Sequence, residues 1–80
     1  MKIYWYEGKK NIIDDKIKTL RKEKGLSQKA IAEQLQLMGY DFNDLTILRI
    51  ENGDRFVADY ELRALAEFFN VSADYLLEKK

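Results

Sequence analysis

The sequence predicts an all-α domain of five short helices that share one hydrophobic core. The 80 residues include no proline and only four glycines. Polar helix-capping residues recur along the chain, and between them apolar residues return every three or four positions, the period of a helix with one buried face. Since helices this short are marginally stable alone in water, their apolar faces must pack against one another.

The first helix is expected over about residues 12–24, directly after Asn11. Asp14 and Asp15 lie in its first turn, where carboxylates interact favourably with the positive end of the helix dipole. Gly25 follows the basic last turn and is a typical C-terminal stop. The inner face consists of apolar side chains at helical spacing, namely Ile13, Ile17 and Leu20.

The second and third helices are each preceded by a residue type that caps helix N-termini. Ser27 is expected to cap helix 2, and Asn43 is expected to cap helix 3, with Asp41 as the alternative cap. Each helix is then followed by a glycine stop, at Gly39 and at Gly53. The expected inner face of helix 2 is Ile31, Ala32, Leu35 and Met38. The expected inner face of helix 3 is Leu45, Ile47 and Ile50.

Two further helices complete the predicted fold. Asp59 is expected to cap helix 4, and Ser72 is expected to cap a short helix 5. The predicted inner face of helix 4 is Leu62, Leu65, Ala66 and Phe69, and that of helix 5 is Tyr75 and Leu76.

The N-terminal residues do not fit the helical pattern. Residues 2–6 are a run of β-branched and aromatic side chains around Trp5, which is typical of extended chain. We therefore divide the chain into an extended segment, residues 1–11, and a helical domain, residues 12–80. The aromatic run either covers an exposed edge of the core or forms a strand that pairs across a dimer.

The composition excludes several classes of function. The chain contains no cysteine and no histidine, so it has no disulfide, no thiolate zinc site and neither the commonest metal ligand nor the commonest general base. We predict a protein without catalytic chemistry, metal or cofactor. The sequence shows neither a signal peptide nor an apolar run long enough for a membrane span, which leads us to expect a cytoplasmic protein.

The charges are balanced overall but unevenly distributed. The formal net charge is zero, yet residues 1–29 carry nine basic and four acidic side chains, whereas residues 30–80 carry five basic and ten acidic ones. Proteins that bind nucleic acid through charge alone are basic throughout. Any contact with nucleic acid is therefore expected to use one oriented face of the domain.

The order of several short motifs resembles the lambda-repressor-like, or XRE, helix-turn-helix family. The resemblance covers about residues 13–77 and depends on several elements that agree in sequence order. The first is the run from Lys24 to Gln28, followed by Ile31-Ala32 and Leu35. The later ones are Thr46-Ile47, Ile50-Glu51-Asn52-Gly53, Leu65-Ala66, Phe69, Val71-Ser72 and Tyr75-Leu76.

This resemblance implies a function and assigns roles to individual side chains. It implies sequence-specific binding of double-stranded DNA by a homodimeric transcriptional regulator, with helix 3, about residues 43–52, as the recognition helix in the major groove. The groove-facing residues would be Asp44, Thr46 and Arg49, with Asn43 at the mouth of the groove. Contacts to the DNA backbone would come from Gln28, Lys29 and Arg55. Arg21 and Glu51 would form an ion pair that ties helix 3 to the body of the domain.

Several of these side chains also have plain structural interpretations. Asn43 can be a simple N-cap, and Asp44 can be an acid that stabilises a helix start. Gln28 can be a solvated first-turn residue, and Arg49 can be an exposed arginine that pairs with a nearby acid, either Glu51 or Asp54.

One segment departs from the family pattern. The stretch between Leu35 and Thr46 is longer than in the family, so residues 36–44 must lengthen helix 2, the turn, or both. The acidic Asp41 and Asp44 lie in this region, where they would repel phosphates unless they are turned away or a carboxylate accepts a hydrogen bond from a cytosine amino group. The neutral charge and these acids also leave open an alternative function, a protein-interaction adaptor or antitoxin-like module with the same fold.

Overall fold

A computed structural model of the chain describes residues 8–78. Within that range the backbone forms five α-helices, and the all-α fold predicted from the sequence is confirmed. No helix in this range is long and apolar enough to cross a membrane. The helices, in chain order, are α1 (Asp14–Glu23), α2 (Gln28–Leu37), α3 (Asp44–Glu51), α4 (Asp59–Phe69) and α5 (Ala73–Leu77).

One core collects the apolar faces of all five helices. Its side chains are at most 7% exposed, and most of them were expected from their helical spacing. Met38 and Tyr75 were wrongly expected on inner faces and are 45% and 42% exposed. The buried residues are Ile13, Ile17, Ile31, Ala32, Leu35, Phe42, Ile47, Ile50, Ala64, Leu65, Ala66, Phe69 and Leu76. Because every helix contributes to this cluster, the stability of each short helix comes from tertiary packing.

Three of the predicted N-caps are confirmed. The side-chain oxygens of Ser27, Asn43 and Ser72 each accept a hydrogen bond from the backbone N–H three residues later, at 2.8–3.0 Å. These bonds satisfy N–H groups that have no partner within the helix. The starts of α2, α3 and α5 are therefore determined by N-cap hydrogen bonds that can be predicted from the sequence.

One predicted N-cap, Asp59, was wrong, and helix 1 begins slightly later than expected. Helix α1 begins at Asp14, two residues after its expected start, and just before it the side-chain oxygen of Asn11 accepts the N–H of Ile13 at 3.1 Å. The amide nitrogen of Asn11 bonds to more distant backbone groups. Helix α4 includes Asp59 as its first residue, so the N-cap position is Ala58. Alanine has no side-chain acceptor, and the carboxylate of Glu61 instead accepts the backbone N–H of Ala58 at 2.9 Å.

The long connection between α2 and α3 is anchored to the domain. Phe42, which the sequence analysis did not assign to the core, is only 2% exposed and fixes the middle of the connection. Gly39 adopts φ +96° directly after α2, a conformation that favours glycine. The hydroxyl of Tyr40 donates to Glu67 on α4 at 3.0 Å. The extra residues therefore form an extended but defined connection of residues 38–43.

The chain before α1 crosses the C-terminal end of α3. The N–H of Lys10 donates to the carbonyl of Gly53 at 2.8 Å. The amide nitrogen of Asn11 donates to the carbonyls of Ile50 and Arg55, at 3.1 and 2.9 Å. Residues 9–11 thus help to hold α3 in place. The hypotheses about the aromatic run of residues 2–6 concern residues outside those that the structure describes.

Candidate nucleic-acid interface

Helices α2 and α3 form a closely packed pair linked by the connection of residues 38–43. Helix α3 packs against both α2 and α1. Ala32, on the inner face of α2, is 2% exposed. A side chain this small permits the close approach that a helix-turn-helix unit requires.

The two faces of α3 differ sharply in burial. Ile47 and Ile50 are completely buried, whereas Leu45 and Leu48 on the other side are 47% and 37% exposed. Arg49 is also exposed. The prediction that Leu45 belongs to the core is therefore wrong, because its neighbour Ile47 occupies the inner position and the helix period turns Leu45 outward.

A forked ion pair fixes the C-terminal end of α3. Arg21 on α1 donates from Nε to one oxygen of Glu51 at 2.6 Å and from a terminal nitrogen to the other oxygen at 3.0 Å. A second terminal nitrogen donates to the carbonyl of Leu26 at 3.0 Å. The Glu51 side chain is 2% exposed, and its hydrogen bonds raise the pKa of Arg21. This is the pair of residues that the family resemblance names.

Gln28 belongs to the same polar cluster. Its side-chain amide donates to Glu51 at 3.2 Å and is half-buried, so in this conformation the amide points toward the ion pair. The neighbouring Lys29 is exposed at the start of α2. A phosphate contact by Gln28 stays a prediction, and it would require the amide to turn away from Glu51 or to bridge both groups.

The first turn of α3 is organised by Asn43. Its side-chain oxygen accepts hydrogen bonds from the N–H of Thr46 at 2.8 Å and from the hydroxyl of Thr46 at 3.0 Å. Thr46 is half-buried and its hydroxyl bonds to the exposed cap residue Asn43, so a contact between Thr46 and a DNA base stays a prediction. Asp44 is exposed and accepts the N–H of Leu45 at 3.0 Å. The neighbouring Leu45 is also exposed on this side of the helix.

Arg49 is exposed in the last turn of α3. Among the side chains of residues 8–78, none forms an ion pair or a hydrogen bond with its guanidinium. The alternative in which Arg49 pairs with Glu51 or Asp54 is therefore absent from this conformation. The guanidinium remains available to a ligand, and it is the only basic group on α3.

Arg55 has an intramolecular partner that the sequence analysis missed. Its two terminal nitrogens donate to the two oxygens of Glu61, at 2.8 and 2.9 Å. The hydrogen bonds from Arg55, with a further one from the N–H of Ala58, lower the pKa of Glu61. A sequence signal did exist, since a glutamate three residues after a helix start is half of a capping box. The structure thus gives Arg55 a role in holding the start of α4, beside its predicted contact with the DNA backbone.

Other kinds of site find little support in the described residues. No group of three or more acidic side chains within residues 8–78 is arranged to hold a metal ion. An open groove of about 260 Å³ lies between the segment that precedes α1 and the chain around Phe56, and it is lined by none of the residues predicted to contact DNA.

The α2 and α3 pair, joined by an anchored turn and supported by three further helices, defines a helix-turn-helix domain. The profile of the helix-turn-helix domain family matches residues 15–80, and the chain belongs to that family. The chain is also similar to the crystal structure of the DNA-binding domain of BldD, with a TM-score of 0.70 and 25% sequence identity. That match covers 89% of this chain and 96% of the other. The search of curated proteins gave no match.

Proposed function

We propose that this domain is a transcriptional regulator that binds double-stranded DNA in a sequence-specific manner and inserts α3 into the major groove. The observation that carries the proposal is the division of α3 into two faces. One face is locked into the domain by Ile47, Ile50 and the Glu51 ion pair, and the other is exposed along the helix. Sequence readout in the major groove requires a helix that the domain holds in a fixed orientation and that leaves one face exposed. The similarity to a DNA-binding domain supports the same function.

The charged and polar groups suggest how contacts are divided. Arg49 offers a guanidinium that can donate two hydrogen bonds to a guanine edge or contact a phosphate. Lys29 and the amide of Gln28 lie at the positive N-terminal end of α2, a position suited to backbone phosphate. Asn43 and Asp44 lie at the start of α3, where Asp44 is able to accept a hydrogen bond from a cytosine amino group. A phosphate at Arg55 would have to share the guanidinium with Glu61.

Two copies bound to a two-fold site are the expected assembly, because one small domain contacts only a few base pairs.

The second candidate function is a protein-interaction module without DNA readout. Two features favour it: Leu37, at the end of α2, is 88% exposed, and the acidic Asp41 and Asp44 are exposed close to α3. A phosphate backbone does not attract such a surface.

Selection of bound fragments from random duplex DNA, repeated at two salt concentrations, tests the proposed function. With about three or four phosphate contacts per subunit, the log of the dimer binding constant should fall against log salt with a slope of about −5 to −7. A motif should emerge from the selected fragments at both concentrations.

Two results would count against DNA readout. Recovery of no motif, with affinity independent of salt, would favour the interaction module. Binding that weakens with salt but selects no motif would reduce the proposal to non-specific binding, because phosphate contacts alone carry no sequence information.

A further inference from the structure

The exposed face of α3 combines leucine side chains with a single cation. Leu45 and Leu48 are three positions apart, and Arg49 is four positions after Leu45. On a helix these spacings make neighbours, with Cβ atoms about 5–6 Å apart. The outward surface of α3 is therefore an apolar strip bordered by one guanidinium.

The domain itself does not require this strip. Its core is filled by Ile47 and Ile50 from the same helix, both fully buried. Rotation of α3 about its axis to bury the two leucines would break the Arg21–Glu51 ion pair. Single exposed leucines are common on protein surfaces, but two on the same face as the only basic group of the helix indicate a surface shaped for contact.

We propose that Leu45 and Leu48 read the C5-methyl groups of thymines next to the base that Arg49 contacts. This inference rests on the proposed function, because it requires α3 to lie in the major groove. Thymine is the one standard base that presents a methyl group there, and apolar side chains recognise it by direct contact. The strip is continuous with Arg49, so one face of α3 combines a hydrogen-bond donor and an apolar surface.

The acidic start of the helix fits the same arrangement. The Thr46 hydroxyl donates its proton to the side-chain oxygen of Asn43 at 3.0 Å, so that hydrogen is already used within the first turn of α3. Besides Arg49, the outer face carries the carboxylate of Asp44 at the start of the helix. When it is ionised, this carboxylate accepts hydrogen bonds but donates none. Discrimination at the positions covered by the two leucines then depends on shape and apolar contact.

Replacement of thymine by deoxyuridine, one position at a time in the selected site, tests the proposal, since it removes only the methyl group. We expect the intact protein to lose about fourfold in affinity at one or two positions, as the burial of one methyl group predicts. Leu48→Ala and Leu45→Ala should each bind the thymine site more weakly and become insensitive to deoxyuridine at one of those positions. Leu37→Ala removes a more exposed leucine from α2 and should keep the full sensitivity of the intact protein.

The possible outcomes distinguish failure of this inference from failure of the proposed function. Equal affinity for the thymine and deoxyuridine sites would overturn methyl readout while leaving DNA binding intact. Absence of binding to any duplex would overturn both. If the two leucine variants bind DNA normally but no longer self-associate in light scattering, the strip is a protein contact and the inference fails. Circular dichroism establishes that each variant retains its helices.

Discussion

Arg55 and Glu61 join the chain after α3 to the first turn of α4 through two parallel hydrogen bonds of 2.8 and 2.9 Å. The Glu61 side chain is 9% exposed, and it also accepts the N–H of Ala58 at the start of the helix. One carboxylate thus serves as both an ion-pair partner and a helix cap. A carboxylate that titrates therefore links the chain after α3 to the start of α4.

The stability contributed by Glu61 should depend on pH. Its pKa in the folded state is lowered, so the contribution is complete above the usual carboxyl pKa of about 4.3 and is lost as the pH falls through the lower, folded-state pKa. We expect the difference in unfolding free energy between the native chain and Glu61→Gln to be largest near neutral pH and to shrink below about pH 4. Urea unfolding at several pH values measures it.

The control for this prediction is Glu33→Gln, which changes an exposed carboxylate on α2. As a surface substitution, it should change the unfolding free energy by less than about 0.5 kcal/mol. A constant difference for Glu61→Gln across the acid range would mean that the carboxylate charge adds nothing to the cap.

Arg21→Ala should destabilise the domain far more than Lys22→Ala. Loss of the guanidinium leaves the buried carboxylate of Glu51 without its main partner, at a cost of about 2–4 kcal/mol. Lys22 is exposed, and its truncation should change stability by less than about 0.5 kcal/mol. Denaturation midpoints compare the two variants.

A double variant separates the unpaired charge from lost packing. Arg21→Met combined with Glu51→Met removes both charges, and it should recover much of the stability lost in Arg21→Ala. If the double variant is as unstable as the single one, the cost arises from packing around α1 and not from a stranded carboxylate.

Arg49→Ala should weaken DNA binding without weakening the fold. If Arg49 contacts a guanine, the loss at the preferred site should be about 1–3 kcal/mol, with relaxed discrimination at one base pair. If it contacts only phosphate, binding should weaken equally on all sequences, and the salt slope should fall by about one per subunit. Titration of the selected site and of scrambled duplexes distinguishes these cases.

Arg63→Ala is the matched control, because Arg63 is an 80% exposed arginine on α4. It should leave site affinity nearly unchanged. If Arg49→Ala and Arg63→Ala change the affinity for DNA equally, α3 does not provide the specific contact with DNA.

Asn11→Asp should destabilise the domain, although it only replaces the side-chain NH2 group with an oxygen. The amide nitrogen of Asn11 donates to two carbonyls, and an aspartate would place an oxygen against both. We expect a loss of about 1–3 kcal/mol, measured by urea unfolding. Asn43→Asp makes the same change where only the oxygen is used, and it should be neutral because both residue types cap helices well.

A result in which the two asparagine variants are equally stable would be informative. It would mean that the bonds from Asn11 to the end of α3 are replaced by water at no cost. The segment that precedes α1 would then contribute little to the position of α3.

Local signals predicted most of the secondary structure. Ser27, Asn43 and Ser72 cap helices because a side-chain oxygen and a backbone N–H three residues apart meet in any chain that turns there. Where the local chemistry has two solutions, the sequence was ambiguous. Asp59 is a good cap residue, yet the helix starts one residue earlier, because Glu61 reaches back to Ala58 and is itself held by Arg55.

The outer face of α3 was the least predictable part of the candidate site. Four of its eight residues are leucine or isoleucine, so a helical period alone does not determine which ones are buried. The structure buries Ile47 and Ile50 and leaves Leu45 and Leu48 exposed. That choice is consistent with contacts between distant segments: Ile47 and Ile50 pack in the core shared by all five helices, and Glu51 pairs with Arg21, 30 positions away.

The sequence by itself determined the five helices found within residues 8–78, three of their caps, the absence of cysteine and histidine, and the family to which the chain belongs. Only the tertiary structure decided that Phe42 is buried, that Leu45 faces outward, and that Asn11 bonds to groups 39 and 44 residues away. The physical reason is the range of the interactions. Caps and helix periodicity act within one or two turns, whereas the orientation of a helix is set by packing and ion pairs between segments distant in the chain.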